Sequence, residues 1–108
     1  MATNFDQEQL EQLSGGDKVF EQELLQMFVG DTENSLSQLA TAVSVENPTA
    51  IEALAHYIKG ASANVGAVGM SRTAARLEMI AKKGDLSGAA NSLRQLQILH
   101  QEVRRLAS

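Results

Sequence analysis

The chain has 108 residues, of which 44% are hydrophobic and 20% are charged, and its net charge is −4 at pH 7. This composition is typical of one soluble globular domain, and no apolar run approaches the roughly eighteen residues that a membrane span requires. The basic side chains are dispersed and aromatic residues are scarce, which excludes the basic stripe and stacking platforms typical of nucleic-acid-binding proteins.

We therefore expect residues 1–108 to form a single domain that binds neither a membrane nor nucleic acid. The first residues, MATNFDQEQ, lack the basic start and apolar stretch of a secretory signal, and the chain has no cysteine. Disulfides and thiol ligands are excluded, and a cytoplasmic setting is expected.

Apolar residues recur at spacings of three and four in several segments, which predicts helices and no strand. The first helix is expected to begin at Asn4, with Gln7 in capping-box position, and to end at Ser14-Gly15-Gly16. Its predicted apolar face consists of Phe5, Leu10 and Leu13. The second, long helix begins near Asp17. Its apolar stripe is Leu25, Val29, Thr32, Leu36, Leu39 and Val43.

The third helix is predicted from about Pro48 to Asn64, because Asn47 can cap it and proline suits a first turn. A fourth begins around residues 69–71 and stops at Gly84, and the last runs from Leu86 to about Leu106. Short connections favour antiparallel neighbours. The expected fold is all-α: an up-and-down antiparallel four-helix bundle with a short additional N-terminal helix.

His56 is the first candidate for a residue that takes part in a reaction. On a helical wheel it falls about 150° from the apolar face of the third helix, so its imidazole should point into solvent. A neutral imidazole nitrogen is a competent nucleophile near pH 7. Lys59, one turn along the helix, could place its ammonium group against a phosphoryl group. Such a histidine and lysine on a helix surface are, by themselves, more often two solvated side chains.

Gly60 strengthens the functional interpretation. Glycine inside a helix costs about 0.5–1 kcal/mol relative to alanine. Gly60 lies opposite the apolar face, where packing gives no reason for it. Open space beside an exposed imidazole is what a phosphoryl group, or a partner loop that delivers one, would require.

The stretch from Ala55 to Ala67, AHYIKGASANVGA, resembles the signature of histidine-containing phosphotransfer (HPt) domains. In that signature the phosphorylated histidine is followed by an apolar pair, lysine, glycine, small residues and a later glycine. The resemblance continues through Leu77-Glu78 and the Gly84-Asp85 turn, and so covers most of residues 50–86.

The resemblance implies that His56 accepts a phosphoryl group, Lys59 stabilises it and Gly60 leaves it room. Glu78 falls where the family often has a polar side chain near the histidine. Many members have glutamine there, and a carboxylate would repel phosphate, so the resemblance implies an orienting role for Glu78. The alternative is that Glu78 is an ordinary exposed helix residue.

The function implied is that of a phosphorelay intermediate in two-component signalling. Its partners would be response-regulator receiver domains, a hybrid sensor kinase, or both. The resemblance implies no bound cofactor, since Mg²⁺ is expected in the partner receiver domain, and a monomer is expected. The chain lacks the glycine patterns of nucleotide sites, so we expect no autonomous kinase activity.

One alternative stays open at this point: a non-catalytic helical adaptor in which His56 is incidental. The only other histidine, His100, lies near the inward seam of the last helix and is interpreted as structural.

Overall fold

The computed structural model describes residues 4–108, which form five α-helices and no strand. The helices are α1 (Gln7–Ser14), α2 (Lys18–Ser44), α3 (Pro48–Asn64), α4 (Val68–Lys83) and α5 (Ala89–Ala107), and a single 3-10 turn, Leu86–Gly88, precedes α5. Within this part of the chain, no helix combines the length and the apolar character needed to cross a membrane.

Helices α2 to α5 form the bundle, in which α2 and α4 each pack against both α3 and α5. Connections of only a few residues join α2 to α3 and α3 to α4, so successive helices run antiparallel. Helix α1 packs on α2 at one end. The predicted fold class, a four-helix bundle with a short additional N-terminal helix, is confirmed.

Side-chain caps explain where the helices begin. Asp17 and Asn47 accept hydrogen bonds from the backbone amides of Phe20 and Ala50, as expected at the start of α2 and α3. The prediction for α1 was wrong: Asp6, and not Asn4, is the N-cap, and its carboxylate accepts from the amide of Gln9. Asn4 and Phe5 therefore lie before the helix and not in its first turn.

Residues 4–6 are hydrogen-bonded to the turn between α3 and α4 and are called the N-terminal strap below. The amide of Asp6 donates to the carbonyl of Gly66 at 2.7 Å, and the amide of Gly69 donates to the carbonyl of Asn4 at 3.0 Å. The side chain of Gln9 adds a hydrogen bond to the carbonyl of Ala63. These hydrogen bonds from the N-terminal strap and Gln9 stabilise the turn that determines how α4 packs on α3.

The core is aliphatic, and its largest fully buried side chains include Leu10, Leu39, Ile51, Ile58, Leu77 and Leu96. Two details differ from expectation. Leu13, predicted on the apolar face of α1, is 48% exposed. The last helix begins at Ala89 and not at Leu86, because Asp85 caps a separate 3-10 turn there.

We predict that two glycine turns respond differently to alanine. Gly66 and Gly84 both have positive φ, so alanine at either should cost about 1–2 kcal/mol of unfolding free energy. A Cβ at Gly84 meets open space, whereas one at Gly66 collides with the carbonyl of Asp6. In urea unfolding, Gly66→Ala should therefore lose more stability than Gly84→Ala. Equal losses of unfolding free energy in the two variants would show that the carbonyl of Asp6 can move away from a Cβ at Gly66 without destabilising the fold.

Candidate functional site

His56 lies in the middle of α3 with its side chain 68% exposed. The neighbouring residues Ala55 and Ile58 are fully buried, so the apolar face of α3 turns His56 outward. Because the residue sits inside a regular helix, its backbone is fixed by the bundle. The imidazole is therefore exposed to solvent while its backbone is held in the packed helix α3.

Glu78 of α4 is the centre of the polar contacts around His56. Its carboxylate oxygen Oε2 lies 2.9 Å from His56 Nδ1, and the ammonium of Lys59 donates to Oε1 at 2.7 Å. A second ammonium, that of Lys82, lies 3.8 Å from Oε2. Glu78 is only 6% exposed, so the interpretation of it as an ordinary exposed helix residue was wrong.

The hydrogen bond from Lys59 is the largest influence on Glu78 and lowers the pKa of its carboxyl group. Desolvation opposes this effect, but the hydrogen bond from His56 and the positive charges of Lys59 and Lys82 reinforce it. Glu78 is therefore ionised at neutral pH and can only accept hydrogen bonds. Since a carboxylate accepts from Nδ1, the contact selects the tautomer of the neutral imidazole in which Nδ1 carries the proton and Nε2 has the lone pair.

Space is open on both sides of the imidazole. A Cβ placed on Gly60 would meet no atom within 4 Å, which agrees with the expectation that packing does not require this glycine. Towards the start of α3, a surface cavity of about 550 Å³ is lined by His56 and Glu78 together with Thr49, Glu52, Ala53 and Lys82.

On the side of α2, the hydroxyl of Tyr57 donates a hydrogen bond to the carboxylate of Asp31. This hydrogen bond raises the pKa of Tyr57. The tyrosine is half exposed and directly follows His56 in sequence. This hydrogen bond ties Tyr57 to α2, whereas Glu78 of α4 contacts His56, Lys59 and Lys82, and these four residues are called the Glu78 cluster below.

A model of the Hpt domain family matches residues 23–106, which is most of the chain and includes every residue of the Glu78 cluster. The chain belongs to the Hpt domain family. Hpt domains act in phosphotransfer within two-component signalling, and this role is that of the present chain.

Two solved structures resemble this Hpt domain. Histidine-containing phosphotransfer protein B (HptB) from Pseudomonas aeruginosa PAO1 is 31% identical, with a TM-score of 0.91 over 99% of this chain and 93% of the other. The HPT domain of a sensor hybrid histidine kinase from Shewanella is 16% identical, with a TM-score of 0.73 over 95% of this chain and 92% of the other. At this identity, the likeness shows only that the two chains share a fold. No curated protein sequence gave a match.

The Hpt domain brings all the predicted site residues into one region, with His56, Lys59 and Gly60 on α3 and Glu78 opposite them on α4. Sequence analysis missed Lys82. The signal that could have found it is its position four residues after Glu78, a spacing that places a glutamate and a lysine side by side on a helix. His100 is buried, as predicted, and its Nε2 lies 3.0 Å from the carbonyl oxygen of Val29.

We predict that the stability contributed by the Glu78 charge depends on pH. Because the pKa of Glu78 is lowered on folding, its ionised form stabilises the fold above the usual value of 4.5, and this contribution is lost as the pH falls through the lowered pKa. Glu78→Gln should therefore unfold at lower urea concentration than wild type at neutral pH, and the difference should shrink below pH 4.5.

The control for this experiment is Glu52→Gln. Glu52 lines the same cavity but forms no ion pair among residues 4–108, so its replacement should change the unfolding midpoint little at either pH. A Glu78→Gln deficit that stays constant down to acid pH would contradict the assignment of a charge-dependent contribution.

Proposed function

We propose that His56 accepts a phosphoryl group from the aspartate of one receiver domain and passes it to the aspartate of another. The observation that carries this proposal is the contact between His56 Nδ1 and the buried carboxylate of Glu78. In the neutral imidazole this contact holds the proton on Nδ1, so Nε2 is the nucleophilic nitrogen and is directed away from the carboxylate. An exposed nucleophile with a fixed tautomer is what such a carrier needs.

In the forward step, Nε2 attacks the phosphorus of an aspartyl phosphate. The N–P bond forms, the P–O bond to the aspartate breaks, and the aspartate leaves as a carboxylate. No proton needs to leave the ring, because the reacting nitrogen carries none. The ring becomes a cation that keeps its Nδ1 proton, and the negative charge of Glu78 stabilises that cation. Transfer to the next receiver reverses the same step.

Glu78 therefore has two opposing effects on the phosphorylated state. Its charge favours the phosphorylated, cationic ring but repels the phosphoryl oxygens. Lys59, bonded to the far oxygen of the carboxylate, reduces that repulsion and supplies positive charge on the same side of α3. Gly60, four residues after His56, leaves room on that side of the helix for the receiver loop. In this family the receiver domain is expected to bring the phosphorylatable aspartate and its Mg²⁺.

We predict that a phosphorylated receiver labels this protein at one site, in an adduct that survives alkali and is lost in acid, as an N–P bond should be. After trypsin digestion at alkaline pH, the label should be on the peptide of residues 19–59, which contains His56. His56→Ala should abolish labelling without changing the helical signal. Labelling on residues 95–104, which contain His100, would contradict the assignment, and absence of labelling by any receiver would favour the adaptor alternative.

We predict that stability and transfer separate in variants of Gly60. Because a side chain there meets open space, Gly60→Ala and Gly60→Gln should hold or raise unfolding free energy, by up to about 1 kcal/mol. Transfer from the receiver should nevertheless slow, most with glutamine, because a side chain four residues after His56 projects beside the imidazole.

The control for Gly60 is Gly30→Ala, another exposed helix position where a Cβ meets no atom within 4 Å. It should stabilise the fold by a similar amount and leave transfer unchanged. If Gly60→Gln folds and transfers at the wild-type rate, the open space beside His56 has no part in the reaction.

A further inference from the structure

Four of the five arginines in the chain lie on one surface, formed by α4 and α5. All four are exposed, and they line two surface cavities of about 440 and 360 Å³: Arg72 and Arg76 line the first, Arg94 and Arg105 the second. Ile98, which is 55% exposed, lines both cavities and so lies between the two pairs. These five residues are called the arginine face below.

The charges of the arginine face are not neutralised by the chain itself. Within residues 4–108 none of its four guanidinium groups forms an ion pair, and Arg76 donates only to the amide oxygen of Gln95, at 3.2 Å. The fifth arginine, Arg104, instead lies 3.8 Å from the carboxylate of Glu33 on α2. Glu102 is the one acidic residue that lines the two cavities, so four arginines against one glutamate leave a local charge of +3.

The chemistry of the arginine face matches a particular kind of partner. Guanidinium groups bind carboxylates in a bidentate geometry, and arginine is enriched in protein interfaces where lysine is depleted. The chain has four lysines, and none of them lines either cavity. An exposed apolar side chain with arginines on both sides is a typical interface anchor. The complementary surface is an apolar residue with carboxylates on both sides.

The net charge of the chain favours a protein segment over a larger anionic surface. The whole chain carries −4 and the arginine face with Glu102 carries +3, which leaves −7 on the other residues. A membrane or a nucleic acid would be repelled by those residues as it approached the face. A short acidic segment can contact the arginine face alone.

The arginine face is directed away from His56. Arg76 and Glu78 are two positions apart on α4, which separates their side chains by about 200° around the helix. Glu78 contacts His56 on α3, whereas Arg76 contacts Gln95 on α5. A partner bound to the arginine face would therefore leave the imidazole uncovered.

We propose that the arginine face docks an acidic segment of a protein partner. In this complex an apolar residue of the segment packs on Ile98, and its flanking carboxylates pair with the arginines of α4 and α5. The site is separate from the surface around His56 and does not depend on phosphoryl transfer. The domain can therefore hold one partner on α4 and α5 while His56 meets another.

The test uses a fluorescein-labelled amphipathic helical peptide in which glutamates flank leucines, with binding followed by fluorescence anisotropy. The peptide should bind saturably, and more weakly as salt is added. Arg76→Ala, Arg94→Ala and Ile98→Ser should each raise the Kd by about fivefold, as expected for loss of one exposed contact. The matched control is Arg104→Ala, which removes the same charge from α5 outside the face and should leave the Kd unchanged.

Two altered peptides separate the contributions of charge and apolar contact. Replacement of the glutamates by glutamine, or of the leucines by serine, should weaken binding, and the amide NMR shifts caused by the parent peptide should fall on α4 and α5. Equal losses for Arg94→Ala and Arg104→Ala, undiminished binding of the serine peptide, or shifts centred on α3 would overturn the inference.

Two other anionic probes test the class of partner. Tighter binding of a DNA duplex or of phosphatidylserine vesicles than of the peptide would overturn the assignment to a protein segment, as would absence of saturable peptide binding. His56→Ala should bind the peptide as wild type does. The proposed role of His56 is tested by labelling alone, so each of the two proposals can fail without the other.

Discussion

The buried carboxylate of Glu78 is the constraint on which the arrangement of the site depends. A charge at 6% exposure is destabilising unless it is paired and hydrogen-bonded. Here its partners come from both helices of the α3–α4 interface: His56 and Lys59 on one, Lys82 on the other. The requirement to satisfy one buried charge therefore orients the imidazole, fixes its tautomer and gathers the lysines around it.

That arrangement holds only while α3 and α4 keep their register. The interface between them is the most extensive in the bundle, and the turn that joins them is strapped by the hydrogen bonds of Asn4 and Asp6 to Gly69 and Gly66. A slip of α4 along α3 would separate Glu78 from His56 and leave the carboxylate buried without partners. The N-terminal segment, distant in sequence from His56, thus supports the site by fixing the helix pair that carries it.

Much of this could be predicted from the sequence. Helical periodicity predicts the bounds of α3, the exposure of His56 and the lack of a packing role for Gly60. It describes the faces of each helix separately and does not show how two helices pack. The burial of Glu78 could not be predicted in this way, because it depends on how closely α3 approaches α4. Lys82 was missed for a related reason: its spacing of four from Glu78 is visible in the sequence, but the pair draws attention only once Glu78 is known to be buried. The start of α1 was misplaced because Asn4 and Asp6 are both good caps, and contacts with the α3–α4 turn decide between them.

The two histidines of the chain occupy opposite environments. His56 stands in solvent with Nε2 free, whereas His100 is 5% exposed and bonded to the carbonyl of Val29 inside the bundle. An acylating reagent for imidazole, such as diethyl pyrocarbonate, would therefore modify one of them in the folded protein and both after unfolding. Ultraviolet absorbance during such a titration would count the modified imidazoles directly. The count in the folded protein would therefore show whether His56 is exposed, phosphorylated or covered by a partner.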